Sequence, residues 1–258
     1  MPSPENPVRR LLILGGTGEA RALAEGAAVA FPGRLEVVSS LAGRLSRPPV
    51  LPGRVRVGGF GGARGLARYL ADERFHMVID ATHPFARVIS ANAAEACMEA
   101  GVERLALVRP ASLRPKGLRW IEARDLDHAA LLLPTPARRV FLAVGRRGLE
   151  AFSRLEDVWF LVRLVEAPDG PLPLRRCTVV TGRPPDSQEE ERKLLTDHAI
   201  DAMVIKDSGS GDAKIAAAQE LGVAVVAVRR PPPPPGQAAA TVDEALAWIE
   251  ARLGQGGT

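Results

Sequence analysis

Residues 11–24 read LLILGGTGEARALA: an unbroken apolar run, a corner of glycines around one threonine, then an alanine-rich stretch of helical character. Leu11–Leu14 has the length and composition of a strand buried on both faces, as in parallel sheets. Gly15, Gly16 and Gly18 let the backbone turn tightly and present N–H groups to an anion at the N-terminus of the following helix. Strand, glycine corner and helix together make a phosphate-binding device. The glycines do not fall at the G-x-G-x-x-G spacing of the commonest dinucleotide fingerprint. A glycine-lined turn without a ligand is therefore the alternative reading.

Outward from this corner the same rhythm repeats. RLLILG, LEVVSS, RVRVGG, HMVIDA and RLALVR read as strands, separated by the helical segments EARALAEGAA, ARGLARYLADE and FARVISANAAEACMEA, with a loop-like crossover over 40–52. The proline-rich, basic stretch RPASLRPKGLRW reads as a linker or crossover. RRVFLAVG, VWFLVRLVE, RCTVVTG, DAMVIKDSG and VAVVAVRR then read as further strands, with helices expected over RGLEAFSRLE, QEEERKLLTDHA and DAKIAAAQELG. Apolar runs separated by helices predict an α/β fold of two domains, residues 1–111 and 112–258. Each would hold a mainly parallel sheet flanked by helices, with a cleft between the domains. Pro231–Pro235 reads as a stiff spacer leading to a last amphipathic helix, TVDEALAWIEARL, grouped with the second domain.

Composition narrows the function. Of 258 residues, 46% are hydrophobic and 25% charged, an ordinary globular balance. Thirty-four Lys and Arg against 30 Asp and Glu leave a formal charge of +4, spread along the chain without basic runs. That pattern suits a small acidic ligand and argues against a nucleic-acid partner. Cys97 and Cys177 make no metal-ligand spacing and read as reduced packing thiols, so no metal is expected. No apolar stretch reaches membrane-spanning length, and the expectation is a cytoplasmic protein, a monomer or weak oligomer, with no membrane partner.

Open parallel sheets bind ligands beyond the carboxyl ends of their strands, so the residues that follow each strand carry the functional signal. In the first half these are Gly15, Gly16 and Thr17, then Ser39 and Ser40, then Gly58–Gly62 around Phe60, then Thr82, His83 and Pro84. Ser39, Ser40 and nearby Arg44 stand where NAD-binding proteins place a carboxylate for the ribose hydroxyl. Hydroxyls and a guanidinium suit a 2′-phosphate instead, and so NADPH. Gly59, Phe60 and Gly61 are expected to lay backbone against the cofactor. Pro84 suits a first helical position and puts His83 at the site mouth, either as a catalytic residue or as a capping group. In the second half Arg146, Arg163 and Lys206 stand at strand ends, and Ser208 and Gly209 lie in a loop suited to an anion.

Together these motifs resemble the precorrin-6A reductase family. The resemblance rests on Gly-Gly-Thr-x-Glu-Ala at 15–20, Ser-Leu-Ala-Gly-Arg at 40–44 and Gly-Gly-Phe-Gly-Gly at 58–62. Asp-Ala-Thr-His-Pro-Phe-Ala at 80–86, Arg-Pro at 109–110 and Lys-x-Ser-Gly at 206–209 complete it, so that it runs from about residue 9 to 231. It implies two Rossmann-like domains, the dinucleotide on the first, with Glu19 among the cofactor contacts. It implies NADPH-dependent reduction of a ring double bond of precorrin-6A, or its cobalt form, to precorrin-6B in cobalamin biosynthesis. The substrate would be a polycarboxylate tetrapyrrole held by Arg146, Arg163, Lys206, Ser208 and Gly209. The proton donor would be His83, a residue of the second domain, or water.

A short-chain dehydrogenase would need a Tyr-x-x-x-Lys pair, but the one tyrosine, Tyr69, has Glu73 four residues on. The alternatives of another class are a non-catalytic NADP(H)-sensing protein and a tetrapyrrole-binding protein without nucleotide. The cationic strand ends of the second half count against the first, and the glycine corners of the first half against the second.

Overall fold

β1 (Arg9–Leu14) sends Leu11 and Ile13 into one core and Leu12 and Leu14 into another, all at most 2% exposed. A strand apolar on both faces needs cover on both, and the chain supplies it. α1 (Gly18–Ala30) and α7 (Val242–Gly254) cover the first face. α2 (Ala63–Asp72) and α3 (Arg87–Ala100) cover the second. The structure is a computed structural model and describes residues 8–42, 50–185, 187–209 and 212–254.

The chain divides into two compact units: residues up to Pro110 with those from Pro231 onward, and Ala111–Arg230. The sheet of the first unit adds β2 (Leu35–Leu41), β3 (Arg54–Val57), β4 (Met77–Asp80), β5 (Glu103–Leu107) and β12 (Gln237–Ala239). Its order is β12-β5-β4-β1-β2-β3, every pair parallel. The second unit contains β6 (Trp120–Ala123), β7 (Arg139–Ala143), β8 (Trp159–Leu164), β9 (Cys177–Thr181), β10 (Ala202–Lys206) and β11 (Ala224–Val228). They run β6-β11-β10-β7-β8-β9, again all parallel. Phe141, Leu161, Met203, Ile205 and Val225 pack on one face of this sheet against α5 (Gln188–Asp197) and α6 (Asp212–Leu221). Both sheets have the doubly wound order, which reverses between β1 and β4 in the first and between β7 and β10 in the second. Crevices for ligands open at such reversals, beyond the carboxyl ends of the strands.

The α/β class with helix-flanked parallel sheets stands as read, and several elements differ from expectation. The C-terminal segment, grouped with the second domain, belongs to the first unit. Ala239 pairs with Leu107, and Ala245, Ile249 and Leu253 of α7 fill the α1 face of the core. Arg104 of β5 donates to the carbonyls of Pro234 (3.5 Å) and Pro235 (2.7 Å), anchoring the polyproline return. β6 begins at Trp120, the last residue of the expected linker, and is an edge strand in which Glu122 interrupts the apolar run.

The helix expected over RGLEAFSRLE is two 3₁₀ turns, Arg146–Gly148 and Glu150–Phe152. Buried Leu149 and Phe152 are three residues apart, which suits the 3₁₀ repeat. A Cβ at Gly148 would lie 2.8 Å from Leu126 Cδ1, so the turn sits directly on α4 (Leu126–Leu131), a helix not anticipated. α3 begins at Arg87, not at Pro84, because a turn closed by Ala86 N–H to the His83 carbonyl (2.7 Å) comes first. Among the described residues no helix is long and apolar enough to cross a membrane.

Candidate functional site

The corner after β1 is held from both sides. Gly15 N–H donates to the Ser40 carbonyl (2.9 Å), tying the turn to β2, and Gly16 takes φ +116°, a conformation open to glycine. Thr17 caps α1: its hydroxyl accepts from Ala20 N–H (3.1 Å) and donates to the Ala81 carbonyl (2.7 Å) at the end of β4. Gly18 has neither a positive φ nor any atom within 4 Å of where a Cβ would stand. The fold itself therefore does not require glycine at this position, whereas a ligand laid against the helix start would. Glu19, in the first turn, is ion-paired with Arg109 from beyond the end of β5.

Ser39 and Ser40 lie near the carboxyl end of β2, just before Leu41 ends it, and are buried. The Ser39 hydroxyl has no hydrogen-bond partner among the described residues, an arrangement that native proteins avoid unless a ligand or water completes it. Arg44 lies outside the described residues.

In the Gly58–Gly62 loop, Phe60 is turned inward and half-buried. Its ring packs on Tyr69 (centroids 5.4 Å apart) beside the α2–α3 core, under the Arg56 guanidinium at 3.8 Å. Arg56 also donates to the carbonyls of Gly58 (2.6 Å) and Gly59 (2.7 Å). A Cβ at Gly65 would fall 1.7 Å from the Phe60 carbonyl oxygen, so the loop rests on the first turn of α2 and only glycine fits there. Gly58, Gly61 and Gly62 have positive φ; Gly59 does not, and a Cβ there would have open space. The aromatic is an anchor, and the glycines around it shape the backbone.

Buried Asp80, the last residue of β4, accepts from Thr82 N–H (3.2 Å) and Thr82 Oγ1 (2.7 Å), and Thr82 Oγ1 lies 3.2 Å from Ser90 Oγ. His83 Nδ1 accepts from Phe85 N–H (3.2 Å), so in the neutral ring the proton sits on Nε2. Pro84 lies within this turn. The glycine corner, the Gly59–Gly61 backbone, Thr82 and His83 thus follow carboxyl ends of strands in the first sheet, and Ser39 and Ser40 lie within the carboxyl end of β2.

In the second unit the strand-end cations separate into two kinds. Arg146 opens a 3₁₀ turn after Gly145 and lies, half exposed, 3.5 Å from Asp169. Arg163 is instead committed to the fold. Its guanidinium makes two contacts with Glu191 of α5 (2.5 and 3.0 Å), with side chains only 10% and 1% exposed, and stacks over Phe141 at 5.0 Å. Its expected role toward a ligand is therefore withdrawn.

Lys206 ends β10, and burial pushes its ammonium below the ordinary lysine range. Asp207 and Ser208 follow, both buried, and Gly209 turns with φ +74°. Asp207 accepts from Ser112 N–H (3.0 Å), and Arg230 Nε donates to the Asp207 carbonyl (3.0 Å). Lys214, in the first turn of α6, is buried and was missed in the sequence. Its placement four residues before buried Ala218, on the inward face, was the available signal. Among the described residues no group of three or more His, Cys, Asp or Glu could hold a metal ion.

The family model described as Precorrin-6x reductase CbiJ/CobK matches residues 10–250. A precorrin-6A reductase of Rhodococcus erythropolis is 46% identical over 245 residues, covering 93% of this chain and 97% of the relative. One from Mycobacterium tuberculosis is 44% identical over 243 residues, with the same coverage of 93% and 97%. A solved structure of CobK precorrin-6A reductase matches with a TM-score of 0.90 at 40% identity, over 96% of this chain and 98% of that one. The chain belongs to the precorrin-6x reductase family of cobalamin biosynthesis.

Proposed function

We propose that this chain reduces a ring double bond of precorrin-6A with NADPH, giving precorrin-6B. The observation that carries the reading is the split in strand-end chemistry. The first sheet ends in glycine backbone and hydroxyls, with room at Gly18 and Gly59 and a Ser39 hydroxyl that has no partner among the described residues. The second ends in Arg146 and Lys206, with buried Lys214 in the helix that follows and Arg230 bonded to the Asp207 carbonyl.

A dinucleotide fits the first set. The backbone N–H groups at the start of α1, not the Glu19 side chain, would take the diphosphate, and Ser39, Ser40 and Arg44 the ribose with its 2′-phosphate. The Gly59–Gly61 backbone would flank the adenosine side. The bound cofactor would supply the hydride. Thr82, fixed by Asp80, and His83, presenting Nε2–H, would orient the nicotinamide end, since positioning of the two reactants supplies much of the rate enhancement in such transfers.

Arg146, Lys206, Ser208 and Gly209 would receive carboxylates of the macrocycle. An approaching carboxylate favours the charged form of Lys206, offsetting what burial disfavours. The test is to mix purified protein with NADPH and precorrin-6A and follow loss of nicotinamide absorbance. Turnover with NADPH well above that with NADH is expected. Absence of oxidation with either nucleotide sinks the reading.

A further inference from the structure

Glu19 and Arg109 are ion-paired where the β1–α1 corner opens. Glu19 holds the second position of α1, whose first N–H groups lack intrahelical partners and, with the helix dipole, attract anions. A carboxylate there competes with a ligand diphosphate for the same positive end. Arg109 answers it from another strand. β5 is separated from β1 by β4, so its side chain spans the ligand-binding reversal of the sheet. Its backbone is steadied on both sides. Val108 N–H donates to the Ala239 carbonyl (2.8 Å), and Pro110 biases the residue before it toward extended geometry. Only 29% of the Glu19 side chain and 17% of that of Arg109 are exposed, so solvent screens the pair less than it would an open surface pair.

We propose that Arg109 is a positioning residue for NADPH: by holding the Glu19 carboxylate it removes a negative charge from the mouth of the diphosphate corner and so sets cofactor affinity. This rests on the reading of that corner as the dinucleotide site. Arg109 acts through Glu19, which separates it from an arginine that grips phosphate directly. Loss of the arginine leaves a carboxylate facing the diphosphate. Loss of both side chains leaves a neutral corner.

The experiment titrates NADPH into wild type, Arg109→Ala, Arg109→Lys, Glu19→Gln, the double variant Glu19→Gln/Arg109→Ala and Gly18→Asp, by nicotinamide fluorescence at low and high KCl. Arg109→Ala is expected to weaken binding roughly tenfold, with the deficit shrinking in high salt as the repulsion is screened. Arg109→Lys keeps the charge and binds close to wild type. Glu19→Gln binds at least as tightly as wild type, and the double variant returns to within about threefold of it, the mark of strong coupling between the pair. A double variant as weak as Arg109→Ala overturns the proposal, as does Arg109→Ala binding like wild type. Gly18→Asp puts a carboxylate at the corner itself, where a side chain has room. Unchanged affinity there sinks the corner reading and the proposal with it. Lost affinity there without rescue in the double variant sinks the proposal alone.

Discussion

The Thr17 hydroxyl donates to the Ala81 carbonyl at 2.7 Å, fastening the start of α1 to the end of β4 across the point where the strand order reverses. The same oxygen accepts from Ala20 N–H at 3.1 Å and caps the helix. One side chain therefore sets both the helix N-terminus and the width of the crevice beside it. Thr17→Val keeps the shape and removes both bonds. It is expected to cost about 1–2 kcal/mol of stability, read by urea denaturation, and to weaken NADPH binding. Thr17→Ser should preserve both properties.

Arg163 and Arg146 should behave oppositely. Glu191→Ala leaves the Arg163 guanidinium buried and unpaired and is expected to destabilise by about 3–5 kcal/mol, whereas Arg163→Met/Glu191→Leu should come close to wild-type stability. Arg146→Ala should leave the denaturation midpoint unchanged and weaken tetrapyrrole binding. Paired denaturation and binding titrations check both. An unstable Arg146→Ala would contradict the exposed position of that side chain.

Cofactor choice is expected to depend on the residues after β2. The diphosphate is common to NADH and NADPH, so the glycine corner cannot distinguish them. A guanidinium on the 2′-phosphate contributes about 1.5–3 kcal/mol, which is roughly ten- to a hundredfold in favour of NADPH. Arg44→Ala should erase most of that ratio and leave NADH affinity nearly intact. Dissociation constants for both nucleotides decide it, and an unchanged ratio would place the 2′-phosphate elsewhere.

The thiols provide a test of packing. Burial pushes the Cys97 thiol up to about 12 and raises that of Cys177 less. The folded state thus favours the neutral Cys97 thiol. Its contribution to stability is complete below the ordinary value of 9.0 and is lost as pH climbs from there toward about 12. In native protein near pH 8, roughly where an exposed thiol begins to ionise, a thiol reagent should reach Cys177 slowly and Cys97 not at all. Both should react after denaturation. Rapid native labelling of Cys97 would contradict its placement in the α2–α3 core.

Elements whose signal is local were legible from the residues alone. Leu11–Leu14 is apolar without a break because both faces of β1 are covered, and Gly16 marks a turn that needs positive φ. Thr17, Ser39, Thr82, Arg146 and Lys206 could be singled out as candidates because strand ends can be read off such runs. β6 and β12 were not. Both lie at sheet edges, where one ladder and partial burial suffice and residues such as Glu122 and Gln237 are tolerated.

What the sequence determined by itself was the alternation of buried strands and amphipathic helices, and with it the chemistry at each strand end, because burial and backbone preference act within a few residues. Tertiary structure decided which sheet receives the last strand and helix, through the pairing of Ala239 with Leu107 across the length of the second unit. It also decided which strand-end arginine is committed to the fold and which stays at the surface. Arg146 and Arg163 look alike in sequence, but Glu191, 28 residues beyond Arg163, meets it in a nearly dry site. A charge buried with its partner is spent on the fold, because separating the two would strand both without water.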